Sequence, residues 1–346
     1  MTDQSEAPPA SEYPAPEVRE AGGSLPWFRL LVGLGVGLGV AILVVLLVAP
    51  HVGKDIRQAT RAATQPFWLL MTMLALAVLL LADAASLVVL VRRLRRGVSV
   101  FWSGEVAFES HLVGGATSFG GLEIPYQMYL LRGLRLSLSE ASSVVLIKGL
   151  VHTSVLAAVA TIAILPFGIS IVTPLQRYII VGVLGVLVVV WIVGAVWLVT
   201  PIGLGFLPLR VKRWVNDFRY ATQTLRDGGP RLIVPLVLLQ LLYWIAMFSL
   251  IPLILHALGW RGPLAPIIVG QAVLQILMPF SPLPGGAGVA EFGYLGLIGQ
   301  SVPADLVVPS LVLWRLCTWI IPMVLGAIAL GIRTARKRSV PVVNTC

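Results

Sequence analysis

Two cationic side chains stand where a membrane-embedded chain tolerates charge least. Lys148 and Arg315 each lie near the middle of a long apolar segment. An intramembrane charge costs on the order of 3 kcal/mol on insertion scales, so such a residue is by default a functional candidate. An arginine can hold a phosphate through two parallel hydrogen bonds, and a lysine offers a compact positive charge. The repeated cation predicts a duplicated fold that handles an anionic group inside the bilayer.

A glycine-rich turn precedes each cation, at Gly120-Gly121 in the first half and at Gly285-Gly286 in the second. Backbone N–H groups in such turns can approach a phosphate closely, as anion-binding nests do. His152 follows Lys148 by one helical turn and shares its face. The candidate substrate-binding residues are Lys148, Arg315, Glu291, His152, Gly120, Gly121, Gln127, Gly285, Gly286 and Gly288.

Nearby carboxylates are candidates for balancing or exchanging charge. These are Asp83, Glu105, Glu109 and Glu123. The alternative is purely structural: Lys148 neutralises Asp83, Arg315 clamps Glu291, and the acids of the first glycine-rich segment are solvated at the membrane rim. The sequence has no HExxH, P-loop or Gly-x-Ser-x-Gly pattern. We therefore expect a transporter rather than an enzyme, with no cofactor and no metal site.

Composition identifies the class of protein. The chain has 346 residues, of which 58% are hydrophobic and 12% charged, against about 25% charged in a soluble domain. Six apolar runs are long enough to cross a bilayer as helices. They are Trp27–Pro50, Phe67–Val91, Ala141–Phe167, Leu175–Thr200, Leu232–Ala257 and Pro303–Gly331. The net charge of +10 comes from basic residues beside these runs, so we expect no nucleic-acid partner.

Lysines and arginines set the expected orientation. They follow the second span, fill the 201–231 connection and follow the last span, so the positive-inside rule puts all three clusters in the cytoplasm. Two stretches interrupted by Gly and Pro must then each enter and leave the membrane on a single side. The stretch 97–137 does so on the cytoplasmic side, and the stretch 263–301 does so on the external side. We predict an all-α polytopic integral membrane protein with six full spans and two opposed re-entrant hairpins in an inverted repeat. Eight ordinary spans are the alternative.

The predicted organisation has three parts. Residues 1–26 form a disordered, acidic and Pro-rich cytoplasmic tail. Residues 27–331 form the transmembrane domain, with repeat halves at about 67–165 and 232–331, and residues 332–346 form a basic cytoplasmic tail. We expect a multi-pass protein of the cell (inner or cytoplasmic) membrane with both termini in the cytoplasm. Closely spaced glycines in the first span are compatible with a homodimer.

Several motifs occur together in this sequence. They are Gly120-Gly121 through Pro125-Tyr-Gln127-Met-Tyr129-Leu-Leu131, then Ser139-Glu-Ala141, then Pro284-Gly-Gly-Ala-Gly288-Val-Ala-Glu291, and finally Arg315 with Pro322 and Gly326. Together they resemble the lysylphosphatidylglycerol synthase transmembrane-region family, which includes the flippase domain of the bacterial multiple peptide resistance factor. The resemblance covers about residues 27–335. The sequence departs from the family pattern at Gln127, where many members have an arginine.

The resemblance implies a lipid flippase-like protein. Its substrate would be a head-group-modified phospholipid, such as an aminoacylated one, or another anionic lipid moved between leaflets. No aminoacyl-transferase domain follows residue 331 in this sequence, so a separate lipid-modifying enzyme is an expected partner. The alternative function is a membrane enzyme or accessory subunit that acts on polyprenyl-phosphate-linked glycans.

Overall fold

The computed structural model describes residues 65–95, 97–118, 122–134, 136–171 and 227–339, with scattered positions between 182 and 225. Within these ranges the regular structure is entirely helical. The predicted N-terminal tail, the first and most of the fourth predicted spans, the Gly120-Gly121 pair and the end of the C-terminal tail lie outside the described residues.

The helices are numbered here in chain order. The first group is α1 Pro66–Leu94, α2 Val100–Ala116, α3 Glu123–Gly133 and α4 Leu138–Ile171. The second group is α5 Pro230–Ala257, α6 Leu264–Leu277, α7 Val289–Leu297, α8 Ala304–Arg315 and α9 Ile321–Ser339. Short 3-10 turns at Met278–Phe280 and Pro284–Gly286 join α6 to α7, and another at Gly299–Ser301 follows α7.

Local sequence signals explain where several helices begin. Pro66 and Pro230 open α1 and α5, where a missing N–H has no consequence and the fixed φ suits the first turn. A capping box formed by Ser137 and Glu140 opens α4. Glu140 Oε2 accepts a 2.7 Å hydrogen bond from the Ser137 N–H, and Ser137 Oγ accepts one of 3.2 Å from the Glu140 N–H.

A single π-helical turn, Leu316–Ile320, joins α8 to α9. Pro322 follows it and has no N–H, so the Thr318 carbonyl loses its usual partner four residues later. Single π turns occur often at functional sites. The turn here follows Arg315 directly and contains Trp319.

Four helical stretches are long and apolar enough to cross a membrane, among the residues that the structure describes. They are Pro66–Leu94, Leu138–Ile164, Pro230–Ala257 and Ala304–Arg336. Their outward faces carry large exposed apolar side chains, such as Leu70 and Leu81 on α1 and Leu238 and Ile245 on α5. Such a surface suits hydrocarbon rather than water, so the chain is a multi-pass α-helical membrane protein.

α1 and α5 run antiparallel and make the most extensive contact between helices. At one end Arg261 Nη2 donates a 2.6 Å hydrogen bond to Gln65 Oε1, and at the other Gly228 approaches Arg93. Two further contacts between the groups are reciprocal. α2 from the first group packs against α9 of the second, while α6 from the second packs against α4 of the first.

One end of the helix assembly is rich in arginine, and we call it the basic end. It contains the end of α1, the start of α4 and the end of α9. Arg95 Nη2 lies 3.3 Å from Glu140 Oε1 there, and Arg333 and Arg336 of α9 face α2.

Candidate functional site

Arg315 ends α8 with only 8% of its side chain exposed. Its Nε lies 2.9 Å from Glu291 Oε1, and its Nη1 donates a 2.9 Å hydrogen bond to the Gly285 carbonyl. Its guanidinium carbon stands 4.5 Å from the centroid of the Trp319 ring. Glu291 is itself fixed, because its Oε2 accepts a 2.7 Å hydrogen bond from the Gly288 N–H. The Arg–Glu clamp expected from sequence thus ties α8 to the second glycine-rich turn.

Trp319 stands between the end of α2 and the glycine-rich turn before α7. Its Nε1 donates a 3.0 Å hydrogen bond to the carbonyl of Gly115 near the end of α2. Gly285, in the turn before α7, has a φ of 62° and lies so close that a side-chain methyl group would collide with the indole. A methyl group on Gly115 would in turn lie 2.7 Å from Met323 Sδ. The end of α2 and the turn before α7 therefore both reach Trp319, and glycines make both contacts.

A cavity of about 180 Å³ lies at this meeting point. The α2–α3 region contributes His111, Gly115 and Glu123, and the α6–α7 region contributes Gln275, Met278 and Gly285. The rest of the wall comes from Met247 of α5 and from Trp314, Arg315, Thr318, Trp319 and Pro322. The cavity therefore combines an arginine, a carboxylate and an imidazole with aromatic and thioether surfaces.

Two buried N–H donors of this wall have no hydrogen-bond acceptor among the described residues. They are Arg315 Nη2 and Trp314 Nε1. Leaving a buried donor unsatisfied costs about 1–3 kcal/mol, and more when it is charged. Such groups in a native fold call for an explanation, of which a ligand is one. An anionic oxygen in the cavity would supply the missing acceptor.

Lys148 is also paired, as the structural alternative expected. Its Nζ lies 2.7 Å from Asp83 Oδ1, and His111 Nε2 lies 3.5 Å from Asp83 Oδ2. Lys148 and Asp83 are both buried and do not line the cavity, whereas His111 does. A short chain of charged groups therefore runs from α4 through α1 to the cavity wall.

Glu123 belongs to the same region but is not closely paired. No cation of the described residues lies within ion-pair distance of its carboxylate, although His111 and Lys148 act on it electrostatically. Its Oε2 rests against Gly114, where a methyl group would come within 2.5 Å of it. Glu123 thus presents a half-buried carboxylate to the cavity.

His152 lies on the Lys148 face of α4, as its spacing predicted, but away from the cavity. Its Nδ1 is 2.8 Å from Gln240 Oε1, and Gln240 Nε2 donates a 2.9 Å hydrogen bond to Ser86 Oγ. The Trp244 indole N–H donates to the His152 carbonyl at 3.0 Å. This network joins α1, α4 and α5.

The two predicted acids of α2 lie at the basic end and are buried, so the expectation that they are merely solvated is wrong. Glu109 Oε1 is 2.8 Å from Arg333 Nε, and its Oε2 accepts a 3.1 Å hydrogen bond from the Tyr126 hydroxyl. Glu105 Oε2 is 3.9 Å from Arg336 Nη1. A buried carboxylate without a nearby cation is costly. Separating α2 from α9 would leave both acids without their arginines, so the two ion pairs stabilise the contact between these helices.

The remaining predicted residues have backbone or packing roles in the structure. Gln127 is buried and its Nε2 donates a 3.3 Å hydrogen bond to Ser110 Oγ. Gly286 and Gly288 adopt φ values of 72° and 80°, which a side chain would disfavour. Gly120 and Gly121 lie outside the described residues. Of the predicted set, Arg315, Gly285 and Glu123 line the cavity.

Sequence reasoning missed the aromatic part of the site. Trp314 and Trp319 in an apolar helix look like ordinary core residues, and only the π turn and the facing glycines distinguish them. Within the described residues, no three His, Cys, Asp or Glu side chains are grouped to hold a metal ion.

Comparisons with known proteins agree on the family. The family model described as "Lysylphosphatidylglycerol synthase TM region" matches residues 30–326. A "UPF0104 membrane protein" of Archaeoglobus fulgidus is 29% identical over 128 residues, which are 37% of this chain and 39% of that protein. The matched region thus spans about two fifths of the length of that relative.

Proposed function

Because the chain belongs to the lysylphosphatidylglycerol synthase TM region family, we propose that it is a flippase-like lipid transporter and not an enzyme. The cavity beside Arg315 receives the anionic part of a head-group-modified phospholipid. The acyl chains stay in the bilayer while the head group crosses through the protein.

The proposed architecture has two re-entrant hairpins, α2–α3 and α6–α7, that enter from opposite faces. α2 and α6 have 17 and 14 residues, whereas a full span needs about 20. The reciprocal contacts of α2 with α9 and of α6 with α4 support an inverted repeat. Under the positive-inside rule the basic end faces the cytoplasm of a cell membrane, and the proposed total of six spans counts the first and fourth apolar runs of the sequence.

One observation carries the proposal: Arg315, whose buried Nη2 has no hydrogen-bond acceptor among the described residues, lines a cavity between the end of α2 and the turn before α7. Charged groups near the middle of a membrane protein typically mark a substrate path. Gly115 and Gly285 both contact Trp319, so a transport cycle that moves either the end of α2 or the turn before α7 would change the wall of the cavity.

The test compares Arg315→Gln with wild-type protein in proteoliposomes that contain fluorescent phosphatidylglycerol or phosphatidylethanolamine. A lost charged hydrogen bond is worth about 1.5–3 kcal/mol, so we expect translocation to slow by roughly 10- to 100-fold. Arg132→Gln is the matched control, because Arg132 is exposed on the last turn of α3. If a folded Arg315→Gln protein translocates both lipids at the wild-type rate, the proposed role of the cavity is wrong.

A further inference from the structure

Four ionisable side chains beside the cavity form what we call the charge cluster: Asp83, His111, Glu123 and Lys148. They come from four different helices, α1 to α4, and so depend on the tertiary fold. Lys148 and Asp83 are in direct contact at 2.7 Å, and His111 touches the other oxygen of the same carboxylate at 3.5 Å. His111 and Glu123 line the cavity that also contains Arg315.

The charge of this cluster does not balance without a proton. Lys148 and Asp83 cancel, which leaves the negative charge of Glu123 beside an imidazole. A net charge within a membrane protein is costly. One proton, either on Glu123 or on His111, makes the cluster neutral.

The other groups facing the cluster do not supply that compensating charge. His152 contacts Asp83 and Lys148 only electrostatically, and its Nδ1 is committed to Gln240. Tyr243 interacts with Asp83 and Glu123 only electrostatically, and its hydroxyl is neutral in its ordinary form.

We propose that His111 and Glu123 share a site for one exchangeable proton, and that binding of an anionic head group at Arg315 raises the occupancy of this site with a proton from water. The proposal rests on the proposed function, because it assigns a proton to the same transport cavity. His111 directs Nε2 at Asp83, so Nδ1 is the imidazole nitrogen left to accept the proton. A carboxylate oxygen of Glu123 is the other acceptor.

The coupling follows from charge balance. Arg315 is already neutralised by Glu291 at 2.9 Å, so a bound phosphodiester brings an uncompensated negative charge into the cavity. Proton uptake by His111 or Glu123 offsets it. Linkage is reciprocal: if the anion favours protonation, protonation favours the anion. Binding should therefore be tighter at low pH and weaker at high pH, and a proton gradient could drive net head-group movement.

The first test uses glycerophosphoglycerol, a soluble phosphodiester that does not itself titrate near neutral pH. Its binding to the full protein in phosphatidylcholine nanodiscs is measured by calorimetry between about pH 5 and pH 8, where histidine titrates. Repeating the titration in buffers of different ionisation enthalpy gives the number of protons exchanged. We expect uptake of about one proton per probe and a Kd that rises by up to about tenfold per pH unit.

Variants decide which groups hold the proton. Glu123→Gln leaves His111 as the only acceptor and should move the pH range of proton uptake, whereas the double variant His111→Gln/Glu123→Gln should bind the probe with no proton uptake and little pH dependence. His111→Gln leaves Glu123 as the only acceptor and should move the pH range of uptake. Asp305→Asn is the matched control, since Asp305 is an exposed carboxylate in the first turn of α8, and it should behave as wild type. Wild-type proton uptake in the double variant His111→Gln/Glu123→Gln would overturn the proposal.

A measurement without probe separates failure of the proton site from failure of the anion site. Infrared difference spectra between the two pH limits should contain carboxyl or imidazole bands that disappear in Glu123→Gln or His111→Gln. If these bands appear but the probe never binds, the proposed function and the coupling fail while the proton site stands. If the variants and the wild type give identical spectra, the proton site is refuted even when the lipid is transported.

Discussion

The Arg315–Glu291 pair gives the sharpest stability prediction. The two charges are 2.9 Å apart and both are buried, with Arg315 at 6% and Glu291 at 1% exposure. At an effective dielectric constant near 20 their attraction is about 6 kcal/mol before the cost of desolvation. Removing one partner from such a pair typically costs about 3–5 kcal/mol. Because Arg315 keeps its contacts to Gly285 and Trp319, we expect Glu291→Gln to lose about 3 kcal/mol.

Glu140→Gln is a closely matched control. Both glutamates lie in the first turn of a helix and accept a backbone N–H at 2.7 Å, from Gly288 and from Ser137, a hydrogen bond that glutamine can keep. The cation paired with Glu140 is Arg95, whose side chain is 53% exposed. Exposed pairs contribute about 0–1 kcal/mol, so burial of the ion pair is the main difference between the two sites.

The assay is unfolding in mixed detergent and SDS micelles, followed by tryptophan fluorescence. The double variant Glu291→Gln/Arg315→Met should regain more than half of the loss, because no unpaired cation remains. Two results would refute the reasoning: a loss from Glu291→Gln no larger than that from Glu140→Gln, or a double variant as unstable as the two single losses combined.

Two further predictions use the same unfolding assay. Gly285→Ala should lower the free energy of unfolding by more than about 1 kcal/mol, because a left-handed φ disfavours alanine and the methyl group would meet Trp319. The control is Gly296→Ala, at a helical position with open space around it, which should be neutral or slightly stabilising. Lys148→Met should cost about 3–5 kcal/mol because Asp83 stays buried and loses its lysine partner, keeping only His111 at 3.5 Å, and Asp83→Asn added to it should restore most of that loss.

The sequence was sufficient to predict the ion pairs because charges inside apolar segments have few available partners. Asp83 is the only acid in its span, and Glu291 is the only one in the second glycine-rich turn, so Lys148 and Arg315 had one natural partner each. The start of α4 was equally predictable, since its capping box is local. Long apolar runs likewise predicted the four long helices that the structure describes.

Features that depend on contacts distant in sequence were not predictable. Glu109 is buried because α9 brings Arg333 to it from more than two hundred positions away, and nothing local to α2 signals that contact. The last helix was expected to end at Gly331, but α9 continues to Ser339 because its final basic turns pack against α2. Trp319 likewise contacts two segments that are far from it in sequence, the end of α2 at Gly115 and the turn before α7 at Gly285.

The two proposed halves share an arrangement of helices but differ in how their acids are used. α3 and α7 each carry a glutamate in the first turn, Glu123 and Glu291. In the second half this glutamate binds the cation of the long helix, whereas in the first half Asp83 from α1 binds Lys148 instead. That substitution leaves the carboxylate of Glu123 facing the cavity without a close partner. If Glu123 bound Lys148 as Glu291 binds Arg315, no carboxylate would line the cavity without a close cationic partner. The proposed coupling of an anion to a proton therefore depends on this asymmetry between the halves.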